Sequence, residues 1–417
     1  MDRRRLLSSI ARPGAALLDG WSDTGRWTIA LPEPVDVFTA GLGETARIEG
    51  FLDRAARATR PDRADPSPFA GGWVGFLSYE LGASWEGADP RADPVPEPAA
   101  VFFRHDSGWA IDPAGTILPI GRPRPLPAED ASFGGLGNPG SVGESLERPA
   151  YRAAHEAIRG GIARGDYYQV NLTNRFAAGI SRRSDPRSIY AKIAGDSPPP
   201  YSLLLAGGGF DVVSASPELF LRADFRTRSV EMRPIKGTAP RANDPGADAA
   251  AAAALRDSAK DRAENVMIVD LCRNDLGRVC ETGTVDVPDL CRIRSHRVHH
   301  LESVVSGTLR RDATAGDVIR ATFPPGSVTG APRRAAVAAI RALEPCARGV
   351  YTGATGFLDD RGRLAFNVAI RTAIATDSEI RYHAGGGITW ESVAEREREE
   401  IDWKAAEFLG LFAGESR

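Results

Sequence analysis

Between residues 167 and 235 the chain runs through one apolar, strand-like stretch after another: YYQVNLTNRF, then 201–205, 211–214, 219–223 and 229–235. Helices do not alternate with these stretches one for one. That excludes a doubly wound parallel sheet, in which each parallel strand needs a long crossover, usually a helix. An α+β architecture with large antiparallel sheets fits. The first 120 residues have the same texture, with 27–31, 72–78 and 99–103 reading as strands between turns. From Gly121 the segment GRPRPLPAEDASFGGLGNPGSVGESLERP is Pro, Gly, Ser and charge with almost no core material, and reads as a linker or surface loop. The sequence therefore divides into a β-rich region 1–121, a connection 122–147 and a larger unit 148–417.

Four helices are expected. One covers 150–164, after Pro149, and stops at Gly165. A second runs from Ser258 to about Leu276, with Gly277 as a left-handed stop. A third starts near Pro332, a favoured first-turn residue. The last starts at Ser392, with Glu395 three residues on, as a capping box. The alanine-rich tract before Ser258 reads as a loop or short helix.

The 52 basic and 55 acidic residues nearly cancel, so the mean field will not gather nucleic acid. Four cysteines without CxxC spacing make neither a disulfide framework nor a zinc site, and fit a reducing, cytoplasmic setting. No apolar run is long enough for a membrane span. Arg12 and Pro13 interrupt the stretch after the basic N-terminus, so no signal peptide is expected.

The second and last helices each carry acidic residues at i and i+3: Asp261 with Glu264, and Glu397 with Glu400, with Lys404 one turn beyond. Four carboxylates on two helices suit a hard cation such as Mg²⁺. On spacing alone, a solvated charged face is the commoner reading of EREREE. FPPGSVTGAPRR places Gly326, Ser327, Thr329 and Gly330 just before a helix N-terminus. YTGATGF and AGGGITW add further glycines, including Gly385, Gly386 and Gly387. Such loops read either as anion sites or as tight turns, and none is a Walker A or dinucleotide loop. Lys236, in MRPIKGTAPR, reads either as a snorkelling strand-end lysine or as a nucleophile with a lowered pKa. Glu218, in SASPELF, reads as a general acid or an edge charge.

Taken together, PIKGTAPR, ENVMIVDLCRNDLGR, FPPGSVTGAP, FNVAIRT and AGGGITWES resemble, in content and order, the motifs of chorismate-utilising enzymes. This family includes the anthranilate, aminodeoxychorismate, isochorismate and salicylate synthases. The resemblance covers about residues 150–410, and GGWVGFLSYELG resembles the aminodeoxychorismate branch. It implies an α+β fold in which two large antiparallel sheets pack together, flanked by helices. It also implies Mg²⁺ at Glu264 and Glu400, with Asp261 and Glu397 beside them. Tyr351 and Arg371 would hold the enolpyruvyl carboxylate, with Lys404, His300, Thr355, Thr329 and Gly385–Gly387 around the substrate.

Two positions separate the branches. The aminodeoxychorismate branch usually has lysine where this chain has Lys236, and anthranilate synthases have alanine. Isochorismate and salicylate synthases place a base lysine near the position of Gln169, where this chain has none. The resemblance thus implies amination of chorismate at C4, with Lys236 as nucleophile and Glu218 as acid, toward 4-aminobenzoate and folate. The ammonia is expected from a separate glutamine amidotransferase subunit. Aromatisation is expected to need another enzyme. Two alternatives are anthranilate formation and a non-catalytic relative that binds the amidotransferase or a metabolite.

Overall fold

The computed structural model describes residues 3–23, 25–60, 67–89, 95–127 and 133–412. Within them the strands form two antiparallel sheets, of eleven and ten strands. The sheets pack face to face, and helices cover both outer faces. This is the α+β sandwich that the resemblance implied.

Many strands are buried on both sides. In Ser202–Ala206, Leu203 and Leu205 point between the sheets and Leu204 faces the helices. Successive strand side chains point to opposite faces, so such strands read as unbroken apolar runs. Helices Arg148–Arg164, Pro186–Ala194, Arg333–Leu343 and Ala394–Leu409 close the outer face of the eleven-stranded sheet. Thr45–Ala55, Ala259–Gly277 and Ala315–Thr322 close that of the other.

The N-terminal strands are threaded into both sheets. Ala16–Asp19 pairs with Ser202–Ala206, and Gly72–Leu77 pairs with Ala354–Asp359. The ranges 1–121 and 148–417 therefore share their sheets. The stretch 122–147 is also more than a connection, because Pro139–Glu144 pairs with the long strand Gln169–Ile180.

Three local details differ from the sequence expectation. Gly277 lies inside its helix, and the chain continues as a right-handed turn. There the Arg278 guanidinium bonds Asp275 and the Ala321 carbonyl, so no reversal is needed at the glycine. The last helix is capped by Val393 without a side-chain bond. Its expected cap, Ser392, accepts from the Thr389 N–H in the preceding turn (3.1 Å) and also bonds Glu397. Pro332 is the N-cap of its helix rather than its first residue. By contrast, Arg148–Arg164 ends on Gly165 at φ 81°, as its sequence requires.

Candidate active site

A cavity of about 610 Å³ lies among strand Ile235–Pro240, helix Ala259–Gly277, the end of strand Glu379–Ile388 and helix Ala394–Leu409. That volume suits a small-molecule site. Lys236 and Glu218 both line it, as do the four carboxylates Asp261, Glu264, Glu397 and Glu400. So do His300, Tyr351, Arg371 and Lys404, together with Gly385, Gly386 and Gly387. Two expected residues lie elsewhere. Thr355 is buried in the ten-stranded sheet and donates to Asn367 Oδ1 (2.9 Å). Thr329 is buried and donates to the Pro325 carbonyl (2.8 Å). Each hydroxyl is spent on its own neighbourhood.

Lys236 is aimed by an irregularity in its strand. Ile235 pairs with Glu302 and Thr238 with His300, so the register slips across Lys236 and Gly237. Such bulges re-aim side chains beside active sites. Gly237 is required there for two reasons: its φ is +84°, and a Cβ would stand 2.9 Å from Asp261 Cβ. The glycine therefore lets helix Ala259–Gly277 close on the lysine strand. Burial pushes the Lys236 ammonium below its ordinary pKa, and Glu264 and Glu218 only partly offset this.

Glu218 is 3% exposed, and Ile235 N–H donates to its Oε1 (3.4 Å). Burial pushes its carboxyl up to about 7, against the opposing effects of the Ser327 hydroxyl and Lys236. A carboxyl with a raised pKa costs the fold stability once it ionises. Its contribution is whole below the ordinary carboxylate range and is lost as pH rises through about 7. Glu218→Gln is therefore expected to flatten the fall in thermal midpoint between pH 5 and 8, a difference on the order of 3 kcal/mol. Melting curves of both proteins across that range check this; parallel curves would remove Glu218 as the source.

The carboxylates meet across two helices. Lys260 Nζ lies 3.8 Å from Glu264 Oε1 and 3.8 Å from Glu397 Oε1. Lys404 Nζ lies 2.6 Å from Glu400 Oε1 and donates to the Gly385 carbonyl (2.8 Å). Burial raises Glu264 and Glu397, whereas at Glu400 burial is outweighed by Lys404 together with Lys236 and Lys260, which hold it low. Asp261 shares a hydrogen bond with the helix-capping Ser258 hydroxyl, which occupies one of its oxygens. Among the described residues no three His, Cys, Asp or Glu side chains form a ready metal cage. Mg²⁺ does not need one, since it commonly takes one or two carboxylates plus water and substrate oxygens. Burial of Glu264 and Glu397 is only partly offset by the neighbouring lysines, and this donor set fits such an ion.

At the other end of the C-terminal helix, Arg371 takes φ +51° and donates to the Lys404 carbonyl (3.0 Å), its guanidinium over the Trp403 ring. Tyr351 stacks on His383 with centroids 5.0 Å apart, and burial raises its phenol. His300 is pushed down to about 4 by burial and by nearby His296 and Arg371, so it is neutral near pH 7. Lys260, Asn171 and His383, to which the sequence reading gives no role, also line the cavity, as does Ser327, named there only as part of its glycine loop. Ser327 stood in the glycine loop where Thr329 was taken, and Lys260 directly precedes Asp261.

The chain matches the family described as chorismate binding enzyme over residues 20–410. It is 36% identical over 405 residues to the aminodeoxychorismate synthase of Streptomyces pristinaespiralis, covering 87% of this chain and 54% of that one. It thus spans about half the length of that relative. It is 36% identical to anthranilate synthase component 1 of Streptomyces coelicolor, covering 88% of this chain and 77% of that one. Aminodeoxychorismate synthase component 1 of Escherichia coli K12 is 33% identical, with 93% and 91% covered. Anthranilate synthase component I from Streptococcus pneumoniae superposes with a TM-score of 0.79 at 28% identity, covering 93% of each chain. No helix among the described residues is long and apolar enough to cross a membrane.

Proposed function

This chain belongs to the chorismate binding enzymes, and we propose that it aminates chorismate at C4, using ammonia supplied by a separate glutamine amidotransferase subunit. The observation that carries the reading is Lys236, re-aimed into the cavity with a lowered pKa beside a carboxyl held near 7. A lowered pKa raises the share of neutral amine, and a raised one keeps Glu218 protonated. The amine attacks C2, both ring double bonds shift by one position, and the C4–O bond breaks as Glu218 gives its proton to the leaving hydroxyl. Ammonia then forms the C4–N bond and the C2–N bond to Lys236 breaks. Tyr351 and Arg371 hold the enolpyruvyl carboxylate. Glu264 and Glu400, with Glu397 and Asp261 beside them, are the residues that would hold Mg²⁺, which when bound supplies positive charge to the ring carboxylate.

Gln169 supports the choice against water as nucleophile. It is buried, neither amide atom has a partner among the described residues, and it carries no basic amine. A second reading, anthranilate formation, is favoured by the equal identity to an anthranilate synthase component 1. Chorismate, Mg²⁺ and an ammonium salt separate the two. Mass spectrometry is expected to find the C4-amino product with its enolpyruvyl group retained, and a coupled assay no pyruvate. Pyruvate release with anthranilate would overturn the proposal in favour of the second reading. The purified chain alone is expected to use ammonia best at high pH and to ignore glutamine; glutamine-dependent turnover without a partner would refute the separate subunit. The product would serve 4-aminobenzoate and folate synthesis.

A further inference from the structure

One group of cations plays no part in that chemistry. Three arginines from distant parts of the chain converge on the carbonyl end of helix Pro186–Ala194. Arg297 donates to the Ile193 carbonyl (3.1 Å), Arg3 to the Gly195 carbonyl (2.9 Å), and Arg26 to Ser197 Oγ (2.9 Å) and the Pro198 carbonyl. A helix C-terminus favours cations, which accounts for their gathering there. It does not account for Arg26, which alone of the three has no ion-pair partner among the described residues. Arg3 is paired with Asp19 at 3.0 Å, and Arg297 reaches Glu407 at 3.4 Å. Arg26 is exposed and has no carboxylate in ion-pair range among the described residues. Burial of its stem lowers its pKa, and the nearby charges of Arg3 and Arg297 lower it further, against Asp19. His296, also exposed, is lowered by burial and by Arg26 and Arg294.

This group reaches the cavity already described through Arg297 and His296, while Arg26 holds the Pro198 carbonyl next to it. Pro199, His296 and Arg297 line it, and so does Glu407. Glu407 lies in the last turn of helix Ala394–Leu409 and Glu397 in its first turn. At 1.5 Å rise per residue the two stand about 15 Å apart. The cavity therefore has its carboxylate cluster at the first turn, and at the last turn the two arginines Arg297 and Arg371 stand against the single acid Glu407.

We propose that Arg26, Arg297 and His296 form an outer carboxylate site, a vestibule that takes one carboxylate of the incoming dianion before it reaches the carboxylate helices. This rests on the reading that the substrate is chorismate. A cleft wall of one charge raises the local concentration of an oppositely charged ligand, and salt screens the effect.

The test follows chorismate consumption, whatever the product, with Mg²⁺ and ammonium at low and high ionic strength. Arg26→Gln is expected to lower kcat/KM about tenfold at low salt, through KM, and to flatten its salt dependence. Arg26→Lys keeps the charge but loses the planar grip on the loop, and is expected to retain most of both. Arg297→Gln, on a different hairpin, is expected to flatten the salt dependence as well. Wild-type salt dependence in both Gln variants would overturn the vestibule. So would Arg26→Lys falling as far as Arg26→Gln, which would leave the arginine as a loop clamp. A wild type that consumes no chorismate overturns the substrate reading instead.

Discussion

Replacing Lys236 with alanine is expected to slow C4 amination by at least about a thousandfold while the protein still folds. The size follows from removing the nucleophile. The tolerance of the fold follows from position: the side chain faces a cavity and fills no core. Its loss leaves Glu218 and Glu264 without the ammonium that partly offsets their burial, so both carboxyls move further up. Any remaining turnover would come from ammonia adding directly at C2, and its product would be the C2 amine or anthranilate. Mass-spectrometric product profiles of both proteins with chorismate and ammonium decide this. An unchanged rate and an unchanged C4-amino product would leave Lys236 as a binding or structural residue.

Glu264→Gln is expected to cut turnover by about two to three orders of magnitude and to weaken Mg²⁺ binding, because a neutral amide cannot balance a dication. A readout independent of catalysis exists. Mg²⁺ should raise the thermal midpoint of the wild type by binding the folded state alone, and should raise that of the variant far less. Without metal, the variant should melt no lower than the wild type, since it removes a carboxylate whose burial Lys236 and Lys260 only partly offset. Glu400→Gln should share the loss of turnover. It differs in stranding Lys404, whose ammonium is 2.6 Å from that carboxylate. If both variants keep normal rates and normal Mg²⁺-induced stabilisation, the two helices are not a metal site.

The lining of the cavity was more legible in the sequence than the strand pairing around it. Lys236, Glu218 and the four helix carboxylates are chemical types in ordered motifs, and all of them reach one cavity. Thr355 and Thr329 were not separable by sequence, because whether a hydroxyl faces a ligand or its own backbone depends on strand facing and loop closure. Ser392 failed as a cap for a similar reason: a preceding turn competed for its oxygen. Helix Pro186–Ala194 falls in a stretch to which the sequence reading assigns no element, although Asp185 caps it by accepting from Arg187 N–H. The largest omission was the threading of the early strands. Local alternation reports which face of a strand is buried, and says nothing about a partner hundreds of residues away.

That threading sets a schedule for synthesis. Strand Gly72–Leu77 finds one of its neighbours in Ala354–Asp359. At ribosomal rates of about 5–20 residues per second, that neighbour follows roughly 15 to 60 seconds later. Until then the early strands have an unsatisfied edge, and unpaired edges of this kind invite aggregation. The last third of the chain is thus the piece that shuts the molecule, and nascent-chain protection matters most before it emerges.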